Sequence, residues 1–216
     1  MTRRFHASAG SGDESAGTAV GRLAGGITRE ALERDEIRQA MHSRHPEVAL
    51  HKDADLHASM RATLADMPPE AKACEGVWLF GYGSLLWNPC VAVTERRVAR
   101  LHGFHRDFRL QLDYGRGSPE APGLMLGLVP GGSCRGVALC VPGSGARLEH
   151  ELHLVWRREM LTGVYVPRWV SLTTDQGRVP AIAFIVNPQH ECYRGRLDED
   201  AVVERMATGH GMLGSA

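Results

Sequence analysis

The sequence predicts an α+β domain whose mixed or antiparallel sheet closes toward a small barrel, with a few flanking helices. Three observations predict it. From Val77 onward, short apolar runs alternate with glycine and proline turn signals. One amphipathic segment, from about Arg147 to Met160, interrupts them. Helical spacing is otherwise confined to the first seventy residues and a short stretch near the end.

The elements follow in chain order. Residues 1–70 read as an extension of two helices with a flexible tip, and residues 71–216 as the domain proper. Residues 7–26 are rich in Ser, Gly and Ala. Thr28 is placed to cap a helix whose apolar residues are Leu32, Ile37 and Met41. Leu56, Met60, Leu64 and Met67 recur at helical spacing until Pro68-Pro69 stops them. Val77–Phe80 is a short run fit for a strand buried on both faces. Further strands are expected at Arg97–Leu101, Phe104–Leu112, Leu124–Val129, Gly136–Val141, Trp169–Thr173 and Ala181–Val186. Pro130-Gly-Gly132, Pro142-Gly143 and Asp175-Gln-Gly177 are expected turns. A last helix runs from Asp198 toward Ala207, with Gly209 as its stop. The glycine-rich Gly209–Ala216 simply ends, so the chain reads as truncated at the C-terminus relative to a longer form.

Composition excludes several classes. With 216 residues, 43% hydrophobic and 23% charged, the chain is globular rather than disordered or fibrous. Lys+Arg and Asp+Glu both number 25, so no net cationic surface attracts a phosphate backbone, and no nucleic-acid partner is expected. No stretch approaches the about 20 apolar residues that span a bilayer, so no membrane partner is expected. The small, polar Ala7–Gly17 is no secretion signal. Cys74, Cys90, Cys134, Cys140 and Cys192 are odd in number and form no C-x-x-C pair, which suits free thiols in a reducing cytoplasm.

Two places break local rules. On the Arg147–Met160 helix, Leu148, Leu152 and Val155 form a stripe that continues into Glu159, with Trp156 beside it. A carboxylate on an apolar face near a helix C-terminus has its pKa raised by desolvation and dipole, which suits a general acid–base. The alternative is an ion pair with Arg157, Arg158 or Arg168 at the edge of the core. The second place is Phe80-Gly-Tyr-Gly-Ser-Leu-Leu-Trp-Asn-Pro89, where a buried strand runs into two glycines and a hydroxyl. Glycine permits positive φ and close approach of a ligand, and successive free N–H groups form an anion nest; a packed tight turn is the alternative. Other motifs fail. Gly81-x-Gly83 lacks the third glycine of a dinucleotide fingerprint, and Ser84 is not in G-x-S-x-G. The pairs His102/His105 and His150/His153 lack zinc-site spacing, so no metal is assigned.

Val77-Trp-Leu-Phe-Gly-Tyr-Gly-Ser-Leu-Leu-Trp-Asn-Pro89 resembles the signature loop of the ChaC-type gamma-glutamylcyclotransferases. Leu154-Val-Trp-Arg-Arg-Glu-Met-Leu-Thr-Gly-Val-Tyr165 resembles the segment that carries that family's catalytic glutamate. Leu101–Phe108, Gly115-Arg-Gly117 and Gly209–Gly214 fall where the family has similar stretches. The resemblance implies cleavage of glutathione to 5-oxoproline and cysteinylglycine, without a cofactor. It places Tyr82, Gly83, Ser84, Leu85, Leu86 and Trp87 in a substrate-binding loop, Glu159 as proton acceptor, and Tyr165 as an aromatic substrate contact. The family usually has Pro-Gly-Arg where this chain has Pro122-Gly-Leu124. Two other readings stay open: a cyclotransferase for different gamma-glutamyl amines or peptides, or a non-catalytic binding module.

The implied chemistry needs few parts. The substrate's own α-amine is the nucleophile, so closing a five-membered ring requires orientation rather than a Ser–His or Cys–His set. One carboxylate can take a proton from that amine and return one to the leaving amine.

Overall fold

Two long strands form the frame. In the structure, a computed structural model that describes residues 26–73, 75–115, 117–211 and 214–215, β2 (Glu95–Leu112) and β3 (Gly123–Pro142) pair antiparallel from Glu95↔Cys140 to Leu112↔Gly123. β1 (Gly76–Gly81) adds to β3, and β4 (Tyr165–Thr174) adds to β2, both antiparallel. β5 (Gly177–Val186) follows β4 through a tight hairpin. Parallel contacts at Leu79↔Ile182 and Leu128↔Ile185 then close a five-strand barrel of mixed pairing. The α+β class and the barrel closure are as the sequence predicts. The stretch before Gly26, with its expected flexible tip, lies outside the described residues, as do Cys74, Arg116, Met212 and Leu213.

The strands differ from expectation in one respect. Arg97–Leu101 and Phe104–Leu112 are one strand, and so are Leu124–Val129 and Gly136–Val141. Pro130-Gly-Gly132 is a bulge rather than a turn: the register shifts between His102 and Phe104, and Gly103, Gly131 and Gly132 take φ of +85°, +104° and +64°. Such a bulge bends a long strand as barrel closure demands.

Residues of β1 alternate between two cores. Trp78 and Phe80 join Leu101, Leu128, Leu172 and Ala183, a cluster drawn from the strands and Tyr82 that fills the barrel. Val77 and Leu79 face outward onto α4 (Gly145–Glu159) and α3 (Asp53–Ala65), among Leu152, Val155, Trp156, Leu56 and Met60. Double-sided burial explains why this strand shows no polar alternation.

The helix expected from Thr28 is two helices, α1 (Arg29–Glu33) and α2 (Glu36–Arg44). Thr28 Oγ1 does accept from the Ala31 N–H at 3.2 Å. Asp35 then turns left-handed, with φ of +56°, and accepts from Arg38 Nε at 2.8 Å. Charged pairs tie these helices to α4. Arg29 holds Glu151 through two bonds of 2.8 Å, and Glu151 also accepts from the Ala92 N–H at 2.9 Å. Asp53 accepts from Arg157 Nε at 2.8 Å and lies 2.9 Å from His153 Nε2; Arg157 foremost holds its carboxyl down to about 2. α5 (Glu199–Thr208) is capped by Asp198, and the pair β6 (His210–Gly211) and β7 (Gly214–Ser215) follows. Among the described residues no helix is long and apolar enough to cross a membrane.

Gly136 on β3 lets the end of β1 approach. A Cβ there would strike the Gly81 carbonyl oxygen and stand 2.7 Å from the Phe80 ring. Gly136→Ala is therefore expected to destabilise the fold by about 1–3 kcal/mol, read as a lower urea midpoint at unchanged slope.

Candidate active site

β1 delivers the glycine loop to one end of the barrel. Tyr82 turns inward, 8% exposed, and its hydroxyl donates to the Phe184 carbonyl at 3.0 Å. A short 3₁₀ turn, Ser84–Leu86, follows, closed by Leu86 N–H to Gly83 O at 2.9 Å; Asn88 N–H then reaches Ser84 O at 3.0 Å. The first N–H groups of such a turn have no acceptor within it. Gly83, Ser84 and Leu85 are in that position. Neither Gly81 nor Gly83 takes positive φ, contrary to the expected reason for these glycines. The requirement is space. A Cβ on Gly81 would press on Leu139 and Leu86 at 3.3–3.4 Å, whereas the side-chain direction at Gly83 is open.

The six loop residues have different fates. Leu85 is core, 5% exposed, and packs with the α4 cluster. Leu86 lies half-buried over Gly81, Ser84 is exposed, and Trp87 is 74% exposed. The structure thus turns Tyr82 into the barrel, brings Gly83 and Ser84 to the open side of the loop, makes Leu85 a packing residue, and leaves the Trp87 ring in solvent.

Glu159 closes α4, one turn beyond the buried Val155 and two beyond Leu152. Its side chain is 14% exposed, and Oε1 lies 3.0 Å from Arg158 Nε, itself 5% exposed. The ion pair posed as the alternative to an acid–base role is present, with Arg158, and the carboxylate is buried as well. Burial drives the Glu159 carboxyl above its ordinary range, and the Arg158 charge and hydrogen bond offset part of that rise.

Two phenols sense the charge of this carboxylate, and a third adjoins one of them. Tyr165, at the start of β4, is 8% exposed and is electrostatically coupled to Tyr82. Burial raises the pKa of both, and the negative charge of Glu159 raises it further. Tyr114 couples to Tyr165, and its hydroxyl lies 3.8 Å from Cys192 Sγ; burial again pushes the phenol up. All three stay protonated at neutral pH and serve as O–H donors or acceptors. Arg106 on β2 donates to the Tyr82 carbonyl at 3.3 Å, setting a cation at the loop's edge. Tyr114 and Arg106 escaped the sequence reading. Tyr114 sits directly before Gly115-x-Gly117 and Arg106 lies inside the family-like stretch Leu101–Phe108, signals that were there to use.

The glycine stretches singled out in the sequence meet. A Cβ on Gly211 would lie 2.6 Å from Gly117 N, so the two backbones touch, and His210 N–H donates to Ala121 O at 3.2 Å. Leu124 beside them is buried, 6% exposed. Two cavities, of about 390 and 520 Å³ in volume, are lined by neither Glu159 nor residues 82–87. Among the described residues no cluster of His, Cys, Asp or Glu is arranged to hold a metal ion.

Comparison with known proteins places this geometry. The profile of the ChaC-like protein family matches residues 77–216. The glutathione-specific gamma-glutamylcyclotransferase of Escherichia coli is 45% identical over 159 residues, covering 73% of this chain and 66% of that protein. Human glutathione-specific gamma-glutamylcyclotransferase 1 is 31% identical over 146 residues, 65% of this chain and 64% of the relative. The chain thus spans about two thirds of the length of these relatives. A yeast gamma-glutamyl cyclotransferase specific to glutathione shares the fold, with a TM-score of 0.59 at 20% identity over 66% of this chain and 82% of that one.

The contrast within the loop is testable by stability. Leu85→Ala is expected to cost about 2–5 kcal/mol. Trp87→Ala should stay within about 0.5 kcal/mol of the parent. Thermal unfolding of the two variants side by side checks both.

Proposed function

This chain belongs to the ChaC-like protein family, and on that premise we propose that it cleaves glutathione into 5-oxoproline and cysteinylglycine. The observation that carries the proposal is Glu159: a carboxylate buried at a helix end, with raised proton affinity, beside the tyrosine of a glycine loop. The names of the relatives point to the same substrate.

The reaction uses the substrate's γ-glutamyl α-amine as nucleophile. Glu159 takes a proton from the amine as its nitrogen attacks the γ-carbonyl carbon. A tetrahedral intermediate forms with negative charge on the former carbonyl oxygen. The carbon–nitrogen bond to the cysteinyl residue then breaks, and Glu159 returns the proton to the departing amine. A base of raised pKa fits both steps, and such catalysis supplies roughly 10²–10⁴-fold. The N–H groups of Gly83, Ser84 and Leu85 are placed to bind the oxyanion or a substrate carboxylate, an arrangement worth about 3–4 kcal/mol per donor for an oxyanion. Arg106 adds positive charge at the edge of that loop. Tyr82 and Tyr165, held neutral, surround the charge of Glu159 with polar groups that do not compete as bases. Every bond change is made by the substrate's own amine and one carboxylate, so the reaction calls for neither metal nor organic cofactor. The buried thiols of Cys90, Cys134 and Cys192 fit a reducing compartment such as the cytoplasm.

Glu159→Gln keeps the shape and removes the base. It is expected to bind glutathione with affinity close to the parent's while 5-oxoproline release falls by at least about 100-fold; near-normal release would remove Glu159 from the chemistry. Gly83→Val should fold normally, since its Cβ meets no atom within 4 Å, yet raise the KM for glutathione by filling the space before the loop. Steady-state kinetics with glutathione and with gamma-glutamyl-alanine measure both effects and separate the two substrate classes.

A further inference from the structure

Neighbouring residues on a helix point about 100° apart and do not ordinarily face each other. Arg158 and Glu159 nonetheless meet at 3.0 Å, both largely buried. The helix alone does not impose that contact. The loop after the glycine turn does: Arg158 Nη1 donates to the Asn88 carbonyl and lies 3.4 Å from Cys90 Sγ. That loop is itself held from two sides. Asn88 N–H is bonded to Ser84 O at 3.0 Å within the glycine turn. Asn88 Nδ2 donates to the Ile27 carbonyl at 2.7 Å, and Cys90 Sγ lies 3.2 Å from the same oxygen. Cys90 takes φ of +60°, a strained backbone for a residue with a side chain, in making this arrangement. Ile27 in turn sits one residue before the Thr28 cap of α1, which Arg29 fastens to α4 through Glu151.

We infer that Arg158 is a positioning residue for Glu159, fixed in place by Asn88 and, through Asn88, by the backbone at Ile27. The inference rests on the proposed role of Glu159 as base. Asn88 is the joint of the network: one residue meets the glycine turn, the arginine that contacts the carboxylate, and the segment that precedes α1. Arg158 orients Oε1 and favours the ionised form in an otherwise desolvating site. The other groups that face Glu159 are Tyr82 beyond β1, Tyr165 on β4 and Cys90 in the loop. None of these is cationic, so the guanidinium supplies the favourable charge among the described groups around it.

The sign of the pH effect follows. A neighbouring cation favours the carboxylate, so its removal raises the pKa of Glu159 further. The acidic limb of kcat/KM against pH, which reports the base in the free enzyme, should then move upward. For Arg158→Gln we expect a shift of about one pH unit, that is about a tenfold loss at a fixed pH on that limb, with KM for glutathione little changed. Arg158→Lys keeps the charge and should restore most of the profile. Asn88→Ala keeps the carbonyl that meets Arg158 but removes the stronger of the loop's two bonds to Ile27, and should move the limb the same way by about half a unit. The measurement is 5-oxoproline release from glutathione by the full chain over pH 5–9, with folding checked by circular dichroism. If Arg158→Gln does not fold, Asn88→Ala against the parent carries the test. A limb unmoved in the folded variants, with turnover scaled down equally at every pH, overturns the inference while the functional reading stands. Absence of product from the parent chain overturns the functional reading, and this inference falls with it.

Discussion

A carboxylate and a guanidinium share one desolvated corner at the end of α4, and the rest of the structure is arranged around that fact. Taking two charges out of water costs several kcal/mol per ion, recovered only where geometry and extra hydrogen bonds are good. Arg158 meets the condition through Glu159, the Asn88 carbonyl and the Cys90 sulfur. Such a pair adds little net stability and needs a stable scaffold beneath it. The scaffold is the apolar face of α4 laid on β1: Leu152, Val155 and Trp156 against Val77 and Leu79.

The barrel explains how the loop arrives at the same corner. β1 is short and buried on both faces, so its direction is fixed and Tyr82 follows without slack. Gly136 on the neighbouring strand permits the close approach of Gly81 that sets where the loop departs. Tyr82 is then anchored across the barrel by the Phe184 carbonyl of β5. Three strands therefore fix one phenol, and α4 fixes the carboxylate whose charge that phenol senses. A site supported by regular elements holds its geometry more tightly than one supported by loops alone.

Much of this was legible in the residues. The apolar run at Val77–Phe80, the stripe Leu148–Leu152–Val155–Glu159 and the tight turn before Gly177 depend on local periodicity, and local periodicity survives folding. The β2–β3 pair was harder. Proline and glycine mark both turns and bulges, and only the pairing partner decides, so Pro130-Gly-Gly132 was expected as a turn where the strand merely bends. The split between α1 and α2 depends on a left-handed Asp35 held by Arg38, again a contact rather than a pattern. In the site, Glu159 announced itself because a charge interrupted an apolar stripe. Leu85 and Trp87 did not announce their difference: their neighbours in sequence are alike, yet one is core and the other faces solvent. Tyr114 reaches the site from a distant stretch, and Asn88, though inside the loop segment, takes its role from contacts with Arg158 and Ile27 that no single window of sequence can contain.

Grouping phenols around the proposed base has a consequence of its own. Each tyrosine is raised by burial, and Tyr82 and Tyr165 are raised again by the charge on Glu159. The coupling is mutual: an ionised phenol would push the carboxylate toward its neutral form as strongly as the carboxylate opposes the phenolate. Because the phenols start from a much higher ordinary pKa than a carboxyl group, the cluster resolves in one direction. Glu159, raised by burial yet still far below the phenols, is the member that gives up its proton first, while Tyr82, Tyr165 and Tyr114 remain O–H groups. The surroundings of the carboxylate can thus be polar enough to meet a zwitterionic substrate without offering a second proton acceptor to compete for the amine. A substrate that carries its own nucleophile needs one group that moves a proton and several that do not, and this arrangement of burial and charge separates the two.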